Sequence, residues 1–329
     1  MNHPLGESFE SLVLKTTGAE SIVSSEIIQE LWSGYGQILR LELAGSKRET
    51  VVVKHVTMPQ DKRHPRGWNS NLSHERKVFS YQVETEWYRS WSPRCDSNCR
   101  IPEFLNFGRD GENVLLLLED LDSSGYPLRL TSLDWQQVAM CLEWLAEFHA
   151  TFMGEKPEGL WETGTYWHLA TRPDEFKILD DEPLKSAAST IDKKLSDATF
   201  QTFVHGDAKL ANFCFSRHGG LVSALDFQYV GAGCGMKDVA YFLGSCLSES
   251  ECEKNEAALL ESYFNFLAAA LKRRQPSIDS SAVIAEWREL FPLAWTDFHR
   301  FLKGWCPGHW KINSYSERIA KEVLESLST

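Results

Sequence analysis

Basic residues are in short supply. The 329-residue chain holds 34 Lys and Arg against 46 Asp and Glu, a formal net charge of -12. Phosphate backbones are bound by a basic face, so this balance argues against a nucleic-acid partner, and the acidity itself serves solubility. Long apolar runs are missing as well. No window reaches the length of a membrane-spanning helix, and the start of the chain lacks the basic-then-apolar pattern of a leader. Paired C-x-x-C spacing is absent among the eight cysteines. Cys95 and Cys99 are the closest spaced, but no second pair or neighbouring His completes a zinc set. These absences point to reduced thiols in a cytoplasmic protein with no membrane and no nucleic-acid partner; no oligomeric state is legible. The 43% hydrophobic content is enough for two packed lobes and too much for disorder.

What is present concentrates between Phe203 and Phe227, FVHGDAKLANFCFSRHGGLVSALDF. Phe203, Val204 and His205 read as the end of a buried strand, followed by a tight Gly206-Asp207 step and then by Asn212. The apolar segment Phe213 to Phe215 runs into a Gly219-Gly220 turn. A second strand, Leu221 to Leu225, delivers Asp226. Asp207, Asn212 and Asp226 therefore stand on loop edges beside apolar runs. Two carboxylates and one amide oxygen make a hard-oxygen set suited to Mg²⁺, with one acid free to handle a proton. Each of the three also fits a plain turn; the three together, behind His-Gly, favour chemistry.

The rest of the chain supplies candidates in a recognisable order. Residues 1–30 suit a short helix and strand, and LWSGYGQILRLEL (residues 31–43) reads as strand, glycine turn, strand. Thr50 to Val56, TVVVKHV, is a strand with Lys54 inside a run of valines. A Lys there costs stability unless its ammonium finds a partner. It is either an edge-strand charge that deters sheet pairing or a functional group. A Pro-, Arg- and Asn-rich loop occupies residues 59–73; Ser73 caps the following helix, whose first turn carries Glu75. Strands at Ile101 to Phe107 and Asn113 to Leu118 follow, the second fully apolar and ending in Glu119-Asp120-Leu121. A Gly125-Tyr126-Pro127 linker then marks a boundary between segments 1–120 and 121–329. From Ser132 the apolar positions take helical period, with His149 as a core residue. Asp238 opens a later helix as its N-cap, and helical stretches cover residues 251–272, 281–302 and 315–327.

HGD-x4-N followed by a strand ending in Asp-Phe resembles the catalytic and metal loops of the aminoglycoside phosphotransferase and choline kinase superfamily. The string DFQYVGAGCGMKDVAYFL, from Asp226 to Leu243, is most similar to its ecdysteroid-kinase-like branch. The Asp-x4-Asn spacing is shared with protein kinases, and Asp226 falls where their D-F-G aspartate lies. The resemblance implies a bilobal protein-kinase-like α+β fold with a small antiparallel-sheet N-lobe and a mainly helical C-lobe. It implies ATP- and Mg²⁺-dependent phosphorylation of a hydroxyl on a small molecule. Asp207 would accept or orient the hydroxyl proton and Lys209 would reach the transferred phosphoryl. Asn212 and Asp226 would hold Mg²⁺, and Gly34 and Gly36 would let a hairpin backbone approach the phosphates. Lys54 would grip the α- and β-phosphates, positioned by Glu75, and the segment with Glu119 and Leu121 would be the hinge for adenine. A protein kinase is disfavoured because no A-P-E segment follows Asp226, and a non-catalytic nucleotide-binding pseudokinase because every expected polar group is present.

The acceptor is legible only as a class: choline- or ethanolamine-like, sterol-like or antibiotic-like. Trp161, Tyr166 and Trp167 are candidates to line its pocket. Asp207, Glu249 and Glu251, with Trp287, Trp295 and Trp305, suit a cation through charge and cation–π attraction, and the same aromatics equally suit a flat apolar acceptor such as a sterol.

Overall fold

The computed structural model describes residues 5–31, 34–58 and 70–328. Its first part is a five-stranded antiparallel sheet. Helix α1 (Gly6–Thr17) leads into β1 (Ser21–Glu30), β2 (Gly36–Ala44) and β3 (Thr50–Val56). Helix α2 (Ser70–Glu86) follows, continued by a π-helical turn at Trp87–Trp91, and then β4 (Phe104–Asp110) and β5 (Asn113–Glu119). The strand order is β1-β2-β3-β5-β4, so β3 is central and its register sets Lys54 opposite Ile38 on one side and Leu116 on the other. A central place excludes the edge-strand reading of Lys54.

Period-2 alternation divides β3 between two environments. Val51 and Val53 turn toward α1 and share a buried cluster with Phe9, Val13, Leu39, Leu41, Leu115 and Leu117. Lys54 and Val56 turn the other way, toward α2, where Val56 packs with Leu31, Tyr35 and Tyr81. Leu31, expected in a strand, lies just beyond β1, while the glycine turn expected at Gly34 and Gly36 does lead into β2; residues 32 and 33 lie outside the described residues. Leu31 donates its N–H to Gly36 (2.8 Å), Gly34 donates to Leu31 (3.2 Å), and the apolar Leu31 and Tyr35 point inward as anchors of that turn. Residues 59–69 of the long loop lie outside the described residues. Because α2 already begins at Ser70, Ser73 sits inside its first turn and does not cap it.

The remainder is mainly helical. Helix α3 (Trp135–Phe152) starts in a reciprocal capping box of Asp134 and Gln137 and is buried on most of its surface beyond Val138. Helices α4 (Pro173–Lys177) and α5 (Glu182–Ser196) precede two short ribbons that carry the 203–227 stretch. In one, β6 (Thr202–Val204) pairs with β9 (Gly231–Gly233); in the other, β7 (Phe213–Phe215) pairs with β8 (Val222–Ala224). Helices α6 (Met236–Cys246), α7 (Glu249–Arg274), α8 (Ser280–Trp305) and α9 (Ser314–Leu327) complete the chain. One continuous apolar core runs from Val83 and Trp87 on α2 through α3 into α6, α7 and α8. Among the described residues, no helix is long and apolar enough to cross a membrane.

The two glycines of the β1–β2 turn differ in what they require. At Gly36 (φ +110°) an added Cβ would lie 2.0 Å from the backbone oxygen of His55, whereas at Gly34 (φ +76°) it would meet nothing within 4 Å. Gly36→Ala is therefore expected to destabilise by more than the roughly 1 kcal/mol of backbone strain that Gly34→Ala brings. Urea unfolding of the two variants measures the difference; equal losses would show that the β2–β3 approach yields easily.

Candidate active site

The site begins with a charge that burial would not tolerate alone. Lys54 Nζ lies 2.6 Å from Glu84 Oε2 on α2 and 3.1 Å from Asp226 Oδ1 at the end of the β7–β8 unit. The Lys54 and Glu84 side chains are only 7% and 4% exposed, while Asp226 keeps 30% of its side-chain surface open. Burial works against the Lys54 ammonium, but Asp226 and Glu84 outweigh it and raise its pKa. Burial pushes the Glu84 carboxyl up, and Lys54 offsets this only in part. For Asp226 burial is again the largest influence. Lys54, Lys209 and Lys77 together overcome it and hold the carboxyl well below the usual range.

Lys54 is thus paired with Glu84 and not with Glu75. Glu75 sits in an exposed position near the start of α2, and Glu84 lies about two and a half turns further along. Tyr81 and Glu84 share a buried face of that helix at i, i+3 spacing, continued by buried Tyr88 in the π-helical turn, and the Tyr81 ring is 5.7 Å from Lys54 Nζ. The stripe selects the partner; proximity to the helix start does not.

Asp226 has a second constraint. Its φ of +69° places it in the left-handed region, unusual for any residue but glycine. Gln228 Nε2 donates to its Oδ1 at 2.7 Å, and Lys77 on α2 donates to Gln228 Oε1 at 2.8 Å. A strained backbone held by a side-chain clamp is the kind of feature that collects at functional sites.

Asp207 is enclosed from three directions. Lys209 Nζ donates to its Oδ2 (2.9 Å), Asn212 Nδ2 donates to the same oxygen (3.1 Å) and to its backbone carbonyl (2.8 Å), and the Tyr241 hydroxyl donates to Oδ1 (3.0 Å). The loop is fixed from below by Asp238, which is fully buried. Its carboxylate accepts from the backbone N–H groups of His205 (2.6 Å) and Gly206 (2.9 Å) and bonds His149 Nε2 (3.1 Å). Asp238 therefore organises the 205–207 loop, and the residue before α6 is Gly235, so the N-cap role expected of Asp238 does not hold. His205 ties the loop sideways: its Nε2 bonds the Leu225 carbonyl (3.0 Å), one residue before Asp226. Gly206 is required, since a Cβ at its φ of +78° would lie 2.1 Å from the Tyr229 oxygen.

The hinge candidates sit at the end of β5. Glu119 spends its carboxylate on Arg100 (2.6 Å) and on the Glu103 N–H (2.8 Å), and Leu121 is buried. The tryptophans divide. Trp287 is fully buried, donates Nε1 to the Phe200 carbonyl (2.9 Å) and packs on His149; Trp295 packs on Phe291 and Tyr315. Both are core residues, and only Trp305, stacked on Phe301, continues toward the aromatic cluster beside Tyr241. Tyr166 and Trp167 belong to that cluster, with ring centroids 5.6 and 5.0 Å from Tyr241. Glu249 and Glu251 do not border Asp207: Glu249 accepts from Ser314, and Glu251 closes the capping box of α7 with Ser248.

A model of the ecdysteroid kinase-like family matches residues 36–163, and one described as "Uncharacterized oxidoreductase dhs-27" matches residues 177–295. No curated protein matches the sequence. Among solved structures, choline kinase from Cryptosporidium parvum Iowa II is 13% identical with a TM-score of 0.54, over 97% of this chain and 94% of that one. Plasmodium vivax ethanolamine kinase is 11% identical with a TM-score of 0.50, over 99% and 97%. The ecdysteroid kinase-like match covers less than half of the chain, and the two solved structures share its fold. Its fold is kinase-like, as the sequence resemblance implied.

Besides Asp238 and His205, the residues of the site not read from the sequence in their observed roles include Glu84, Gln228, Lys77 and Tyr241. Tyr241 had a signal. It follows Asp238 by three positions on α6, so both side chains face the 205–207 loop. Removing Lys54 leaves Glu84 buried without its counter-charge. Lys54→Met is expected to cost about 3–5 kcal/mol, while Glu75→Gln, at an exposed position, stays within about 0.5 kcal/mol of the parent. Chemical denaturation compares them, and equal losses would return Glu75 to consideration.

Proposed function

We propose that this chain transfers the γ-phosphoryl group of ATP to a hydroxyl of a small molecule. The observation that carries this reading is the arrangement of Asp207: a buried carboxylate with one oxygen held by Tyr241 and the other by Lys209 and Asn212. Support comes also from Lys54, a buried cation joined to both α2 and Asp226.

In the proposed step the acceptor oxygen attacks the γ-phosphorus, a new P–O bond forms and the bond to the β-phosphate oxygen breaks, releasing ADP. The hydroxyl proton passes to the Asp207 carboxylate, oriented by Tyr241 and Asn212. Lys209, beside Asp207, faces the charge on the phosphoryl oxygens. Lys54, kept protonated by Glu84 and Asp226, is the phosphate-gripping cation. Phosphoryl transfer asks little covalent work of a protein, so positioning and charge neutralisation supply most of the rate.

The oxygen donors fit Mg²⁺. Asn212 spends its amide nitrogen on Asp207 and has its amide oxygen left, and the Asp226 carboxylate is ionised and partly open. Two protein oxygens suit a hard cation that completes its shell with phosphate and water. That is consistent with no cluster of three or more His, Cys, Asp or Glu among the described residues. When bound, the ion neutralises phosphate charge. On this reading residues 1–120 hold the nucleotide, with the β1–β2 turn at Gly34 and Gly36 over the phosphates and the Glu119–Leu121 segment along the adenine, and residues 121–329 carry the catalytic loop and the acceptor site. All eight cysteines are free thiols, which supports a cytoplasmic setting.

Asp207→Asn keeps the shape of the site and removes proton acceptance. Turnover is expected to fall by about 10²–10⁴-fold with ATP affinity nearly unchanged. An ADP-release assay over a panel of hydroxyl-bearing small molecules, paired with nucleotide binding by calorimetry, measures both. Parent-like turnover in the variant would remove Asp207 from the mechanism.

A further inference from the structure

Beside Asp207, the aromatic cluster of Tyr166, Trp167, Tyr241, Phe298, Phe301 and Trp305 forms a wall that meets the base through the Tyr241 hydroxyl. The chain lays its own cations on this wall. Lys311 Nζ stands 4.7 Å from the Tyr241 ring centroid, 5.4 Å from Phe298 and 5.6 Å from Trp310. Arg172 lies 5.6 Å from Tyr166 and 5.5 Å from Phe301. Lys311 thus occupies the kind of aromatic cage in which a quaternary amine would otherwise sit.

The carboxylates of the wall are already committed. Asp297 pairs with Arg300 (2.8 Å) and accepts from Trp167 Nε1 (3.0 Å), Glu175 pairs with Arg172 (3.1 Å), and Asp207 pairs with Lys209 (2.9 Å). Lys311 differs from these cations: among the described residues no carboxylate lies within 4.0 Å of its ammonium. Burial against the rings pushes it down to about 8, against the pull of Asp207. A half-buried ammonium with no carboxylate within 4.0 Å among the described residues gains most from an anionic oxygen, and a cationic acceptor would meet repulsion at the same place.

Resting on the phosphotransfer reading above, we propose that Lys311 and its aromatic wall form the acceptor subsite, and that the acceptor is an alcohol carrying an anionic oxygen group. Of the acceptor classes left open by the sequence, this disfavours the choline- or ethanolamine-like one: Glu249 and Glu251 are engaged with Ser314 and Ser248, Asp207 is paired with Lys209, and the cage is filled from within.

Four matched probes test the proposal on the full chain by calorimetry: para-(hydroxyethyl)benzoate, the corresponding sulfonate, the neutral benzamide and the trimethylanilinium cation. The benzoate and the sulfonate separate a carboxylate from a sulfonate ligand. At least one of them is expected to bind about tenfold or more tighter than the benzamide, with the cation no tighter than the benzamide. Lys311→Met should erase the preference and Lys311→Arg should retain most of it. A preference for the cation, equal binding, no binding by any probe, or an anion preference that survives in Lys311→Met would overturn the assignment. ADP release with the same probes separates the two readings. A Lys311-dependent anion preference without any transfer would sink phosphotransfer and leave the subsite; transfer to the cation or the amide, with no anion preference, would do the reverse.

Discussion

A lysine ammonium with almost no access to water is the constraint on which the site depends. A buried charge is tolerated only when paired and hydrogen-bonded, and the two partners of Lys54 come from different parts of the chain. Glu84 arrives on α2, and Asp226 arrives from the β7–β8 unit, 172 residues away in sequence. Sheet, helix and catalytic hairpin are therefore brought to one point by the same charge. Asp226 pays for its place with a left-handed backbone, and Gln228 and Lys77 tie it again to α2. Asp226 and Lys54 are set by one network.

A second buried acid does the corresponding work for Asp207. Asp238 accepts from two consecutive backbone N–H groups ahead of Asp207 and from His149 on α3, so the loop is clamped between α3 and α6. His205 then passes the constraint to Leu225 and so to Asp226. Asp207 and Asp226 come from different ribbons, yet their relative placement is fixed by one imidazole and one carboxylate. Preorganisation of this kind spares reorganisation during reaction.

Much of this was legible because it is local. The valine run of β3, the HGD-x4-N spacing and the short strands around Gly219-Gly220 declare themselves by period and turn chemistry. Two kinds of feature were not legible. The partner of Lys54 depends on which face of α2 meets the sheet, and two acids on one helix cannot be ranked by distance from its start. Leu31 looked like strand because it is apolar, but it is the buried anchor of a turn. The role of Asp238 was hidden for a related reason: an acid in the first turn of a helix suits that helix's dipole wherever it points, and here it points at another loop.

The acceptor side is the least legible because no single segment builds it. Tyr166 and Trp167 come from a connector, Tyr241 from α6, Phe298 to Trp305 from α8, and Lys311 from the turn before α9. Phe298, Phe301 and Trp305 share one face of α8 by helical period, but the other residues have no such signature, and each alone reads as packing. Their joint meaning appears at Tyr241, whose ring carries Lys311 on the wall and whose hydroxyl holds Oδ1 of Asp207. In the proposed function, a ligand that moves Lys311 would act on that ring, which holds one of the two oxygens of Asp207, so acceptor recognition and orientation of the proton acceptor would be coupled through a single side chain.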